Sequence, residues 1–320
     1  MKKILLLFIS SLTAISFAGC GKTVSDEEST TKITMAANPF IGAAPIYTAI
    51  DKGFFKENGI DFNLVNFDDS GASCTALLSD QVDVAYCTLD SAIISESQSE
   101  DNKIKIISVV DESDGADGIL IKNDINSLAD LKGKTVGVSI NQTSHYLLLK
   151  ALERGGLSDS DVNLVNMSSS DAGVSFISGN LDAAVTWEPY LSNAVNEGAG
   201  KMIFSSSDAP GSIVDVLAVR SENIDAEWLE AFNRAYNEGL AFANDNNTHK
   251  EAMDITAKYL DVSSDEADSM YKTVKLYSTD NYNDLAKEGG ILNCGVSDIS
   301  KFYLDKKIIT MDVTPSEILK

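Results

Sequence analysis

Two distant stretches of this chain carry one pattern. Leu77-Leu78-Ser79-Asp80-Gln81-Val82-Asp83-Val84-Ala85 and Phe176-Ile177-Ser178-Gly179-Asn180-Leu181-Asp182-Ala183-Ala184 each read as a helix end, a short turn, an apolar residue, an aspartate and a strand. A unit that recurs in both halves, among strands that alternate with helices, constrains the chain to α/β lobes with largely parallel sheets built on a shared plan. The second copy continues through Val185-Thr186-Trp187-Glu188-Pro189-Tyr190. Proline disfavours helix at Glu188 and suits the first turn of a helix that follows. Trp187 and Glu188 are therefore expected on the carboxyl rim of a strand, where open α/β sheets bind ligands.

The rest of the chain alternates in the same way. Strands are expected at Ile33 to Ala36, Ile60 to Phe67, Asp83 to Cys87 and Lys103 to Val110, with helices from Pro45, from Ser70 and after Thr88. The acidic, glycine-bearing run Asp111 to Gly118 reads as a crossover, and Ile119-Leu120-Ile121 opens a second unit. There, strands at Thr135 to Val138, Val162 to Met167, Leu181 to Thr186 and Met202 to Phe204 alternate with helices at His145 to Arg154, Asp171 to Ser178 and Tyr190 to Glu197. Ile213 to Val219 is a strand run broken by Asp215. Beyond Arg220 the spacing predicts helices at Glu227 to Asn244, His249 to Leu260, Ser264 to Tyr277 and Ser297 to Lys306, with no strand among them, returning to cover the first lobe.

The first residues set an expected compartment. Lys2 and Lys3 precede an apolar stretch from Ile4 to Phe17, then Ala18-Gly19-Cys20, the pattern of a signal peptide over residues 1–19. The small-small-Cys ending resembles a bacterial lipoprotein box, which implies acylation of Cys20 and an anchor on the extracytoplasmic face of the cell membrane. Residues 20–31, rich in Ser, Thr, Asp and Glu, read as a flexible tether.

The formal charge of −23, with no dense Lys/Arg cluster beyond the signal region, argues against nucleic acid and against docking on anionic lipid through protein charge. Cys74, Cys87 and Cys294 have no metal-ligand spacing and are read as buried thiols, with a Cys74–Cys87 disulfide left open. The two histidines, His145 and His249, are far apart, so neither a metal site nor a cofactor is expected.

Six motifs in order then carry a resemblance: Asp51-Lys52-Gly53-Phe54-Phe55-Lys56, Ser79 to Ala85, Asp130-Leu131-Lys132-Gly133-Lys134-Thr135-Val136-Gly137-Val138, Ser170-Asp171-Ala172, Val185-Thr186-Trp187-Glu188-Pro189 and Asp215-Val216-Leu217-Ala218-Val219-Arg220. The chain resembles the substrate-binding lipoproteins of ABC importers in the nitrate/sulfonate/taurine group. The resemblance implies a two-lobed periplasmic-binding-protein-like (type II) α/β fold with a two-strand hinge. Residues 32–118 and 216–320 would form lobe 1, and residues 119–215 lobe 2. It also implies a non-enzymatic monomer that delivers a small molecule to a permease and its ATPase subunit. An enzyme related to thiamine-pyrimidine synthases is disfavoured, because their cysteine-rich motif and reactive histidine have no counterpart here. A sensor feeding a signalling partner is the further alternative.

Four loop-to-helix junctions are expected to face the cleft. They supply Asn38, Phe40 and Tyr47; Ser70 and Ser73; Leu89 and Asp90 within Thr88 to Ser91; and Gln142, Thr143, Ser144 and His145. Free amides at helix N-termini and the Ser/Thr hydroxyls can hold an anionic oxygen group without Lys or Arg, although each hydroxyl also suits simple capping. Asp215, inside an apolar run, needs a partner. That partner is either the hinge backbone, a basic side chain, or a cation on the ligand. The resemblance to taurine-type binding proteins implies the last. Trp187 would give an aromatic wall, and Glu188 points either into the cleft or toward the helix after Pro189. The expected ligand is a small amine-bearing, zwitterionic or sulfonate-type molecule; aminopyrimidine, nitrate and aromatic sulfonate are the alternatives.

Overall fold

The computed structural model describes residues 30–99 and 103–320. The expected signal peptide, Cys20 and nearly all of the tether lie outside the described residues; Thr31, assigned to the tether, already belongs to the first strand.

Among the described residues, eleven strands form two sheets. They are β1 (Thr31–Ala37), β2 (Ile60–Asn66), β3 (Val84–Thr88), β4 (Ile104–Ser113), β5 (Asp117–Ile121), β6 (Thr135–Val138), β7 (Asn163–Asn166), β8 (Ala183–Trp187), β9 (Lys201–Ser205), β10 (Val214–Arg220) and β11 (Val274–Leu276). The first sheet has the order β11-β4-β10-β3-β1-β2 and the second β7-β6-β8-β5-β9. In each, three parallel strands (β2-β1-β3, then β7-β6-β8) are joined by an antiparallel strand, β10 or β5, whose start lies at the rim where the parallel strands end. The fold is thus mixed α/β with two lobes, as expected. The chain crosses between sheets over residues 114–116 and 206–213, so Asp117 and Gly118 pair in the second sheet and Val214 and Asp215 in the first.

The repeated aspartates explain why both halves fold alike. Asp83 Oδ2 accepts from Thr34 N at 2.8 Å, and Asp182 Oδ2 accepts from Thr135 N at 3.0 Å. In each copy the aspartate amide also donates to the same threonine's carbonyl, at 2.8 Å and 3.1 Å. One side chain therefore fixes where β3 starts against β1 and where β8 starts against β6. A register slip would turn each strand's apolar face outward. Arg220, at the end of β10, adds a clamp on the first copy: its Nη1 donates to Leu77 O and Val82 O at 3.2 and 2.9 Å.

Two apolar layers flank the first sheet and two smaller ones the second. The 228–244 and 249–260 helices pack on Ala44–Lys52, and the 291–305 helix packs on Leu89–Ser97. Gly239 permits the first contact, since a Cβ there would lie 2.1 Å from Pro45 O. Leu319 bridges Ile106 of β4. The predicted helix Ser264 to Tyr277 is shorter than expected. It ends at Tyr271, and Val274-Lys275-Leu276 pairs with the open edge of β4 as β11, because an unpaired strand edge recruits an alternating segment. The predicted 297–306 helix begins earlier, at Ile291, since Leu292, Gly295, Val296 and Ile299 form one buried face.

Asp182→Asn keeps the size of the side chain and weakens the acceptor at Thr135. Because Asp182 lies below the usual carboxylate range, chiefly through the Thr135 amide, its stabilisation is present above about pH 4 and lost as pH falls. The variant is expected to lose on the order of 1–2 kcal/mol at neutral pH. Urea midpoints at pH 7 and at about pH 3 check this: the difference from wild type should shrink in acid.

Candidate functional site

Polar side chains converge between the sheets, at the rim the topology creates. Asn38 and Phe40 follow β1; Asp68, Asp69 and Ser70 follow β2; Thr88 ends β3. From the other sheet come Ser139, Gln142, Thr143 and Ser144 after β6, Ser168 and Ser169 after β7, and Trp187 at the end of β8. Asp117 starts β5, Asp215 lies near the start of β10, and Ile213 comes from the crossover before it. The space between these walls is about 580 Å3 with its mouth included, but only about 40 Å3 can hold the centre of a water-sized atom. A narrow slot of this kind suits a ligand of few heavy atoms. Four lining residues are aspartates, and none is Lys, Arg or His.

Two of those aspartates are buried. Asp215 is 4 % exposed and Asp117 9 %. Tyr86 Oη donates to Asp215 Oδ2 at 2.7 Å, and Ser113 Oγ donates to Asp117 Oδ2 at 2.7 Å. Asp215 Oδ1 has no partner among the described residues. Neither carboxylate meets a basic group among the described salt bridges. Burial, with the neighbouring negative charges, pushes Asp117 up to about 7 and Asp215 up to about 6. A cation placed between them would relieve both penalties.

The rest of the wall is neutral. The 143–154 helix begins with no side-chain cap; His145 N donates to Gln142 O, so the amides of Thr143 and Ser144 are the ones left to donate to an anionic group. By contrast, Asp69 caps the 70–78 helix through Ala72 N, and Ser168 caps the 169–177 helix through Asp171 N. Thr143 also joins the lobes: its Oγ1 donates to Asp90 Oδ1 at 2.9 Å and lies 2.9 Å from Thr88 Oγ1. Ser91 Oγ donates to Gln142 Oε1 at 3.4 Å across the same boundary.

Of the residues expected at the cleft, Asn38, Phe40, Ser70, Gln142, Thr143, Ser144, Trp187 and Asp215 line this cavity. Tyr47, Ser73, Leu89, Asp90, His145 and Glu188 do not. Tyr47 stacks on Tyr259 with centroids 4.4 Å apart, and its hydroxyl accepts from Phe40 N, so it braces the Phe40 loop from behind. Ser73 Oγ turns back to Asp69 O, and Leu89 is core. Asp90 is buried between Thr143 and Tyr303, whose hydroxyl donates to it at 2.9 Å. His145 Nδ1 accepts from Asn141 N, and burial lowers its basicity. Glu188 accepts from Ser192 N and Oγ at 3.0 and 2.8 Å, capping the helix that follows; it lines an adjoining hollow that shares Asn38, Asp68 and Trp187 with this cavity. The Glu188–Pro189 peptide is cis.

Thr88, within an expected junction, lines the cavity too; Asp68, Asp69, Asp117, Ser139, Ser168, Ser169 and Ile213 line it beyond the residues expected from the sequence. Ser168 was accessible from the repeat, since it follows β7 as Asp69 follows β2. Asp117 was hidden in an acidic run that reads as a solvated connection. Cys74 and Cys87 are free and buried, and Cys294 is exposed.

Comparison with known proteins gives a consistent result. A putative binding protein of Brucella abortus is 26 % identical over 249 residues, covering 76 % of each chain. The taurine-binding periplasmic protein of Escherichia coli is 27 % identical over 175 residues, covering 54 % of this chain and 53 % of that one. A putative aliphatic sulfonates-binding protein of Bacillus subtilis is 25 % identical over 73 % of each. In three dimensions the chain superposes on the periplasmic aliphatic sulphonate-binding protein SsuA of Escherichia coli with a TM-score of 0.74, covering 90 % and 91 % of the two chains at 17 % identity, which shows a shared periplasmic-binding-protein fold. The family model described as NMT1/THI5 like matches residues 41–249, and the chain belongs to that family.

Proposed function

We propose that this protein is the extracytoplasmic solute-binding component of an ABC importer, held at the cell membrane through Cys20, and that its cargo is a small zwitterion carrying an amine. The observation that carries the reading is the pair of buried carboxylates, Asp117 and Asp215, on a cavity wall that lacks any basic side chain. Burying a carboxylate without a counter-charge is costly, and a ligand ammonium removes that cost. The uncapped start of the 143–154 helix, with Thr143 and Ser144, suits a sulfonate or carboxylate at the ligand's other end. Trp187 closes the slot with an aromatic face, which favours a cation or an aliphatic stem. Relatives named for taurine and aliphatic sulfonates support this ligand class.

The mechanism is capture by closure. Contacts from both lobes favour the closed form, and the Thr143 bonds to Asp90 and Thr88 add protein–protein contacts that exist only when the lobes meet. The closed form would then dock on the permease, with ATP used by the partner subunit.

Asp215→Asn is expected to weaken binding of 2-aminoethanesulfonate by roughly 2–5 kcal/mol in calorimetry. Unchanged affinity would remove the counter-ion role. If an aminopyrimidine binds instead and the amino sulfonate does not, the cargo class is overturned while the Asp215 contact survives.

The affinity should also depend on pH. The ammonium needs ionised carboxylates, and these titrate near 6 and 7. Affinity is expected to rise from pH 5 to pH 7, by up to about tenfold per unit for each group, and to level off above. The ligand-free protein should behave oppositely. Both groups hold their protons more tightly folded than unfolded, so their contribution to stability is full below about pH 4 and is lost as pH rises through 6 to 7. Calorimetry and thermal unfolding across this range read the two slopes.

A further inference from the structure

Behind Asp215 stands a second carboxylate that the cavity does not reach. Asp111 of β4 is fully buried and pairs in register with Asp215 of β10. One phenol lies between them: Tyr86 Oη is 2.7 Å from Asp215 Oδ2 and 3.0 Å from Asp111 Oδ2. A phenol has one proton and cannot donate to both. The Ile41–Ala43 turn closes over the group so tightly that a Cβ on Gly42 would sit 2.0 Å from Asp111 Oδ2 and 2.7 Å from Tyr86 Oη. The remaining oxygens, Asp111 Oδ1 and Asp215 Oδ1, have no partner among the described residues.

We propose that Asp111 is held as the neutral acid and acts as a positioning residue: it donates its proton to Tyr86 Oη, Tyr86 donates to Asp215 Oδ2, and the chain presents the ligand with one carboxylate charge whose open oxygen is Asp215 Oδ1. The shorter of the two distances marks the charge-assisted bond, which places the phenol proton on Asp215. Asp111 can then bond to Tyr86 only by donating; its carboxyl also lies within hydrogen-bonding reach of Asp215, and a proton turned there leaves the same single charge on the pair.

The groups packed around this chain agree. From β3, Cys87 adds no positive charge. From β5, Asp117 takes its hydrogen bond from Ser113. From the 89–97 helix, Asp90 is engaged by Thr143 and Tyr303. From the 228–244 helix, Tyr236 donates to Tyr277 O at 3.0 Å. Glu188, beyond β8, is spent on Ser192. On the strand paired with β4, Lys275 of β11 pairs at 4.0 Å with Glu112. Burial first, and the Asp215 charge second, push Asp111 well above the usual carboxylate range; burial and both aspartates hold the Tyr86 phenol protonated. The consequence is selectivity. With Asp117 and Asp215 already facing the ligand, an ionised Asp111 would add a third negative charge that a single ammonium does not balance, whereas a neutral Asp111 adds none.

The ligand-binding arm of the test rests on the amine reading above; the other arm needs no ligand. Infrared spectra of the intact protein at about pH 8, where Asp117 and Asp215 are mainly ionised, should show a protonated-carboxyl C=O band. The band should be lost in Asp111→Asn, kept in Asp215→Asn, and moved to higher frequency in Tyr86→Phe, where the acid loses its acceptor. Absence of the band from wild type, or a band unmoved in every variant, overturns the proposal. If Asp111→Asn does not fold, the Tyr86→Phe shift decides alone. In titrations with 2-aminoethanesulfonate, Asp111→Asn should stay within about threefold of wild type, since an amide mimics a neutral acid, while Asp215→Asn loses about thirtyfold or more. Equal losses in both variants would falsify a neutral Asp111. If the amino sulfonate binds neither wild type nor variants, the cargo reading fails with that probe, and the infrared result still decides the state of Asp111.

Discussion

Burying negative charge without a protein cation is the constraint on which the rest of this molecule turns. Asp90, Asp111, Asp117 and Asp215 converge from four elements, and each is nine-tenths buried or more. Hydroxyls from Tyr86, Ser113, Thr143 and Tyr303 are their partners in place of Lys or Arg. Hydroxyls soften the desolvation cost but do not cancel a charge. The fold tolerates this because two sheets, each complete with its own apolar layers, supply the stability elsewhere. What remains is a cleft whose electrostatics are unbalanced until a ligand arrives.

The architecture that assembles the cleft follows from a small device used twice. Asp83 and Asp182 each bond the backbone of the neighbouring parallel strand, and so set the register of one pair of strands in each sheet, β3 on β1 and β8 on β6, whose ends form part of the rim. The antiparallel strands β10 and β5 then bring their starts to that rim. Asp215 and Asp117 occupy those starts, one from each sheet. Two crossovers connect the sheets beside the site, so a change in their relative position changes the distance between the two carboxylates and the opposing hydroxyls.

Much of this was legible in the sequence. The repeat, the alternation of strands and helices, and the placement of Trp187 after an apolar run follow from local periodicity and proline stereochemistry. Asp215 stood out because a carboxylate in an apolar strand requires a partner. The residues that were harder to read depended on tertiary direction. Asp90 and Glu188 look like cleft carboxylates in one dimension. One turns instead to a tyrosine from the carboxyl-terminal 291–305 helix, and the other caps its own next helix. Asp117 shows the converse: its acidic, glycine-bearing surroundings signal a surface loop, and only pairing with Trp187 across the second sheet buries it. The strand Val274–Leu276 was likewise invisible, because only the exposed edge of β4 makes those residues a strand.

The central claim is that the ligand supplies the positive charge this cleft lacks. Deleting that charge from the ligand, rather than altering the protein, tests it most directly. Calorimetry comparing 2-aminoethanesulfonate with ethanesulfonate at about pH 8 isolates the amine, because the anionic end is shared. The account predicts that removing the amine weakens binding by about a hundredfold or more, on the order of 3 kcal/mol. Equal or tighter binding of ethanesulfonate would contradict it.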